Sequence, residues 1–119
     1  MKSPYQAMPG LLREVMILYV LRYLHMIQVR IREHEITISG HAGFAPRGYD
    51  LVCAAVSALT YTLIDAIRAM EGADINATVD RGNVSVKWQH MNDTGKIIID
   101  SWFIGICSIN REYECITFI

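Results

Sequence analysis

The sequence predicts an α+β fold: a mostly antiparallel sheet packed against two main helices, preceded by an N-terminal helical extension. Two segments with the 3.6-residue periodicity of helices each follow shorter segments that alternate apolar and polar residues, as half-buried strands do. The 119 residues are 52% hydrophobic and 19% charged, which suits one domain with a buried core and excludes a disordered chain.

The first predicted elements form a hairpin. Residues 27–31 and 36–38 alternate apolar and polar side chains on either side of a charged turn. Residues 40–49 follow, with three glycines and a proline, and predict a loop.

A long helix is predicted from Asp50 to Met70. Asp50 suits the N-cap position, and Gly72 suits the position just beyond the end. One apolar stripe runs along this segment, formed by Val52, Val56, Leu59, Leu63 and Ile67.

The second half predicts a hairpin, a helix and a closing strand. Residues 75–79 and 84–88 alternate around a turn at residues 80–83, and residues 115–119 predict a short last strand. The second helix is predicted from about Lys96 to Tyr113. Its expected buried face consists of Ile98, Trp102, Ile106 and Ile109.

Residues 1–25 are predicted to be a helical extension to a domain spanning residues 26–119. Charges interrupt its apolar segment, and the longest uncharged run, Val15 to Leu21, is far shorter than the ~20 residues of a membrane span. No small-residue cleavage site follows, so a secretory signal is not expected. Two interpretations stay open: the helix packs on the domain or a partner, or Met26 is the natural start.

Charge and cysteine content exclude several function classes. Eleven basic and twelve acidic residues give a net charge of −1, without the basic excess of a protein that binds nucleic acid directly. The three cysteines form no CxxC pair, which excludes a disulfide scaffold or zinc ribbon and favours a reducing, cytoplasmic location. The histidines show no ligand spacing, and no nucleotide-binding or calcium-binding motif occurs, so neither metal nor cofactor is expected.

The candidate chemistry is concentrated in residues 40–57, GHAGFAPRGYDLVCAAVS. With Asp50 as the N-cap, Cys53 lies in the first helical turn, where unpaired N–H groups and the helix dipole favour a thiolate. His41 is the one histidine in this segment, and the intervening loop is long enough to bring the two side chains together. The alternatives are a small packing residue for Cys53 and a solvated loop residue for His41.

The string ISGHAGFAPRGYDLVCAAVSALTYT resembles the signature of the ribosomal-processing cysteine protease family. That signature has a Gly-His pair, further glycines and an aspartate, and then the run around the cysteine. The resemblance implies a homodimeric bacterial protease, without a cofactor, that cuts after an aromatic residue. Its implied substrate is the N-terminal extension of large-subunit ribosomal protein twenty-seven.

The resemblance assigns Cys53 as the nucleophile and His41 as the general base. Gly40, Asp50 and Ser57 occupy the other special positions of the motif. We expect Ser57 to bond the sulfur or the substrate, or else its own helix carbonyl. Asp50 either caps the helix or orients His41.

Two further expectations concern the surroundings of the cysteine. The N–H groups of residues 51–53 are expected to stabilise the oxyanion. Residues 42–49 are expected to act as a lid over the substrate. The remaining candidate loop and substrate contacts are Gly43, Phe44, Gly48 and Tyr49.

Two functions compete with ribosomal-protein processing. One is a non-catalytic dimeric module that binds the same protein or assists ribosome assembly. The other is a protease with the same chemistry that processes phage capsid or scaffold proteins. Cys107 and Cys115 are predicted to be packing residues, and Trp88 and Trp102 to be core or dimer contacts.

Overall fold

A computed structural model describes residues 10–15, 26–40, 47–70, 74–80 and 82–119, with the backbone alone at 47–50. Five strands form one sheet in the order β3-β4-β2-β1-β5. All neighbouring strands are antiparallel except β1 and β5, which are parallel. The strands are β1 (Ile27–Arg32), β2 (Glu35–Ser39), β3 (Ile75–Asp80), β4 (Asn83–Trp88) and β5 (Ile116–Phe118). The α+β fold and its mostly antiparallel sheet are thereby confirmed.

Two helices, α1 (Arg47–Arg68) and α2 (Asp93–Tyr113), account for most of the remaining described chain. Both begin three residues before their predicted starts. In α2 the reason is a cap, because the Asn92 side chain accepts a hydrogen bond of 2.8 Å from the Gly95 N–H.

The core lies between the two helices and one face of the sheet. The predicted stripes are confirmed: Val52, Val56, Leu63 and Ile67 of α1 are buried, as are Trp102 and Ile106 of α2. The remaining stripe residues, Leu59, Ile98 and Ile109, are partly buried against the same core. The helices approach closely, since a Cβ at Gly105 would lie 2.8 Å from Leu59 Cδ1.

A buried hydrogen bond between side chains joins α1 and α2. The Thr60 hydroxyl donates to the Val56 carbonyl at 2.7 Å and accepts from the Trp102 indole N–H at 3.2 Å. The indole nitrogen therefore has a partner inside the core, as buried polar groups require.

Thr60→Val is expected to lower the free energy of unfolding by about 1–3 kcal/mol, because it leaves the buried indole N–H without its partner. Thr62 is a matched control, since its hydroxyl makes the same 2.7 Å bond to a carbonyl four residues back but is exposed. Thr62→Val is expected to stay within about 0.5 kcal/mol. Urea unfolding of both variants measures the difference, and equal losses would contradict the account.

The N-terminal extension is helical at residues 10–15, and the rest of residues 1–25 lies outside the described residues. Within the described chain, the segment Leu51–Arg68 is long and apolar enough to cross a membrane by length and composition alone. That segment is most of α1, whose apolar stripe packs in the core. The core helix of a folded domain can have the same length and apolar composition as a membrane span.

Candidate active site

Cys53 lies in a cleft between α1 and the end of the sheet where β2 and β3 finish and β1 and β4 begin. The cleft has a volume of about 380 Å³. Cys53 is 6% exposed and belongs to the buried core cluster, and it also lines the inner wall of the cleft. The other lining residues of α1 are Val56, Ser57, Thr60 and Tyr61. The sheet contributes Ile27, Ile38, Val79, Asp80, Gly82, Asn83 and Val84.

The early start of α1 corrects two expectations about Cys53. Because the helix begins at Arg47, Cys53 is its seventh residue, roughly 9 Å along the axis from the first. The helix dipole acts mainly within the first turn, so it gives the thiolate less support than the sequence suggested. The N–H groups of residues 51–53 bond to carbonyls of the preceding turn and are not free to bind an oxyanion.

The same helix start makes the N-cap prediction for Asp50 wrong. Asp50 is the fourth helical residue, where a carboxylate is favoured by the helix dipole but does not cap. Its predicted role in orienting His41 stays a prediction. The loop prediction for residues 47–49 is also wrong, because Gly48 and Tyr49 belong to the first turn of α1.

His41 follows Gly40 directly and lies outside the described residues, as do Gly43, Phe44 and most of the expected lid. The structure does show where this segment begins. Gly40 has φ +88°, and a Cβ there would lie 2.5 Å from the Met26 carbonyl oxygen and 3.5 Å from the Ile27 Cα. Since Ile27 lines the cleft, the chain that leads to His41 starts beside the cleft that contains Cys53.

Ser57 lies one turn beyond Cys53, on the wall of the cleft. Four other helical hydroxyls bond the carbonyl four residues back, namely Thr60, Thr62, Ser101 and Ser108. Among the described residues, the Ser57 hydroxyl makes no such bond. The structure therefore does not show the expected alternative, a hydrogen bond from Ser57 to its own helix carbonyl. Ser57 instead lines the cleft without a hydrogen bond to another described residue.

The sequence did not single out the part of the cleft formed by β3 and β4. Val79, Val84 and Asn83 read as ordinary hairpin residues, because alternation identifies which face a residue occupies and not what lies opposite. Their position follows from the strand order, which places β3 at the edge of the sheet beyond β4. Val79 is half exposed there.

The other reactive side chains lie elsewhere. Cys115 is buried in the core and Cys107 is partly buried on α2, which agrees with packing roles. Within the described ranges, no group of three or more His, Cys, Asp and Glu residues is arranged to hold a metal ion. Trp102 is a core residue as predicted, and Trp88 is partly buried against the core.

Comparisons with known proteins agree on one family. The family model described as "Cysteine protease Prp" matches residues 26–116. The "Ribosomal processing cysteine protease Prp" of Mycoplasma pneumoniae is 36% identical over 73 residues, covering 61% of this chain and 70% of that protein.

Solved structures show the same fold. The ribosomal processing protease Prp from S. aureus in complex with a substrate peptide superposes with a TM-score of 0.69 at 20% identity, covering 79% of this chain and 96% of that one. The same S. aureus protease in complex with a covalently linked product peptide gives a TM-score of 0.65 at 22% identity, covering 78% and 95%.

Proposed function

Since this chain belongs to the cysteine protease Prp family, we propose that Cys53 and His41 are its catalytic pair. We propose further that it removes the N-terminal extension of large-subunit ribosomal protein twenty-seven. The observation that carries the proposal is that Cys53 and Ile27 line the same cleft, and that Gly40, the residue before His41, packs against Ile27.

Covalent catalysis is the chemistry proposed for this pair. The Cys53 thiolate attacks the scissile carbonyl carbon, and protonated His41 gives its proton to the amine as the C–N bond breaks. The acyl part of the substrate then remains bound to the sulfur as a thioester. Neutral His41 then takes a proton from water as the water attacks the thioester. The extension leaves with a free carboxylate, and the thiolate with its protonated histidine is restored. The covalently linked product peptide in the S. aureus structure supports a covalent route.

Binding of a peptide substrate is supported by the same comparison. The S. aureus relative was solved with a substrate peptide, and its fold covers most of this chain. The relatives' name, ribosomal processing cysteine protease, supports a ribosomal protein as the substrate.

We also propose that the protein acts as a homodimer in the cytoplasm. Ile97 and Ile104 of α2 are 65% and 66% exposed, and the half-exposed Phe103 meets Phe118 edge-to-face at 5.7 Å. Exposed large apolar side chains of this kind favour an interface. No disulfide joins the three cysteines to one another, which favours a reducing compartment.

Ser57→Ala is expected to lower kcat/KM by about tenfold, through the loss of one hydrogen bond to the sulfur or the substrate. Stability should stay close to that of the unsubstituted protein, because the hydroxyl makes no hydrogen bond within the described chain. Ser101→Ala on α2 is the control, since Ser101 is exposed and far along the sequence from the cleft. An unchanged kcat/KM for Ser57→Ala would remove the functional role of this residue.

The overall proposal is tested with the precursor of the organism's own ribosomal protein twenty-seven. Intact mass spectrometry after incubation should show loss of a short N-terminal peptide with the unsubstituted protein and no loss with Cys53→Ala. A precursor that stays uncut but co-purifies with both proteins would indicate the binding module instead. A precursor neither cut nor bound would point to another substrate, with phage proteins next.

A further inference from the structure

The first residues of β1 are held in place by β5. The two strands are parallel, with Ile27 opposite Ile116. The Ile27 N–H donates a hydrogen bond of 2.9 Å to the Cys115 carbonyl, and the Thr117 hydroxyl donates one of 2.8 Å to Met26 Sδ. These bonds fix the chain at the point where β1 begins.

Asn110 determines where β5 begins. It lies in the last turn of α2, and its side-chain Oδ1 accepts a hydrogen bond of 2.9 Å from the Ile116 N–H. Its main-chain carbonyl accepts a second bond of 2.8 Å from the Glu114 N–H, and Glu114 has the left-handed φ of +50° that ends a helix. Asn110 thus holds the residues on both sides of Cys115, whose carbonyl is the one bonded to β1. We call Asn110 and residues 115–117 the β5 anchor.

The start of β1, which the β5 anchor holds, is in contact with Gly40. A Cβ at Gly40 would lie 2.5 Å from the Met26 carbonyl oxygen, and 3.5 Å from both the Gln28 nitrogen and the Ile27 Cα. Contact this close between two stretches of main chain leaves no room for one to move without the other. Because His41 follows Gly40 directly, a displacement of the start of β1 also displaces the proposed base.

The opposite end of α2 has the same kind of bond in a different place. There the Asn92 side chain accepts a hydrogen bond of 2.8 Å from the Gly95 N–H. Neither residue is among the described residues that line the cleft with Cys53. Asn92 and Asn110 are therefore equivalent as hydrogen-bond acceptors at the two ends of one helix, and the series of contacts that leads to Gly40 starts from Asn110.

We propose that Asn110 and Thr117 are positioning residues for the reaction at Cys53: through β5 they hold the start of β1 against Gly40, and so fix the position of His41 relative to the thiol. The inference rests on the proposed pairing of Cys53 with His41. It goes beyond that pairing by giving a role in it to a segment that the motif around the cysteine does not include.

The test is the pH dependence of alkylation at Cys53 by iodoacetamide, followed by peptide mass at pH 6 and pH 9. The ratio of the two rates reports how far an imidazolium keeps the thiol ionised at low pH, and burial does not affect it because access limits both rates equally. The variants are Asn110→Ala and Thr117→Val, with Asn92→Ala as the matched control and His41→Ala as the reference without the base. Since each asparagine side chain bonds one backbone N–H, the two alanine variants should lose similar stability, which urea unfolding checks.

In the unsubstituted protein the rate at pH 6 should be at least about a tenth of the rate at pH 9, and in His41→Ala below about a hundredth, as for a free thiol. Asn110→Ala should lower the ratio at least about fivefold and Thr117→Val about threefold, because a displaced imidazolium stabilises the thiolate less, while Asn92→Ala should leave the ratio unchanged. An unchanged ratio in Asn110→Ala would overturn the inference. An unchanged ratio in Thr117→Val would do the same, and this variant, which loses only one hydroxyl, can be measured even if Asn110→Ala does not fold.

A second measurement does not depend on the thiol. The amide NMR signals of Ile27 and Gly40 should shift in Asn110→Ala and stay in place in Asn92→Ala. If the unsubstituted protein and His41→Ala have the same ratio of rates while these signals shift, the pairing is wrong and the positioning of Gly40 by the β5 anchor holds. If the unsubstituted protein has the higher ratio and Asn110→Ala changes neither the ratio nor the signals, the positioning is wrong and the pairing holds.

Discussion

Cys53→Ala is expected to reduce peptide hydrolysis by at least about 10³-fold, because it removes the atom that forms the covalent intermediate. The fold should survive with a loss of about 1 kcal/mol in the free energy of unfolding, since a buried sulfur is replaced by a smaller group. Hydrolysis of the precursor and urea unfolding measure the two quantities separately.

Cys107→Ala is the matched control for this variant. Cys107 is a free, partly buried thiol on α2 that does not line the cleft. Its replacement should leave hydrolysis within about twofold of the unsubstituted rate. Hydrolysis that survives Cys53→Ala but falls in Cys107→Ala would place the nucleophile on α2 and contradict its assignment to α1.

Gly40→Ala is expected to have the second largest effect, on stability and activity together. A left-handed φ of +88° disfavours any side chain, and the new Cβ would lie 2.5 Å from the Met26 carbonyl oxygen. The backbone must shift, at a cost of about 2–3 kcal/mol. Because His41 is the next residue, the shift also displaces the proposed base, and a misplacement of about 1 Å lowers kcat/KM by about 10²-fold.

Gly10→Ala provides the comparison for Gly40→Ala. Gly10 is helical, and a Cβ there meets nothing within 4 Å. Its replacement should leave stability unchanged or raise it by a few tenths of a kcal/mol, about the gain alanine gives in a helix. A Gly40→Ala protein with full activity at a temperature where it is folded would show that the geometry at Gly40 does not position His41.

The sequence predicted most of the fold because the apolar periodicity reports burial directly. The stripe through Val56 and Leu63, and the alternation through Val29 and Ile36, identify helix and strand without any knowledge of the partner element. Element starts were less accurate. Asp50 was taken as a cap because it is a good one by residue type, whereas the helix already begins at Arg47.

The site was predictable in part for a related reason. The short segment around Cys53 carries its own pattern, so the thiol could be selected before the fold was known. The wall formed by Val79 and Val84 depends on which strand lies opposite α1, which is a property of the sheet order. Local sequence does not encode that order, so the position of these two residues in the cleft could not be predicted before the fold was known.

The central claim is that Cys53 cleaves its substrate through a thioester. Cleavage of the ribosomal-protein precursor in neutral hydroxylamine tests it most directly, because hydroxylamine intercepts a thioester in place of water. We predict that mass spectrometry will find part of the released extension with a hydroxamate at its C-terminus, and that Cys53→Ala will release none. Cleavage that yields the free carboxylate alone at every hydroxylamine concentration would contradict the account, since it would mean that water attacks the peptide bond directly.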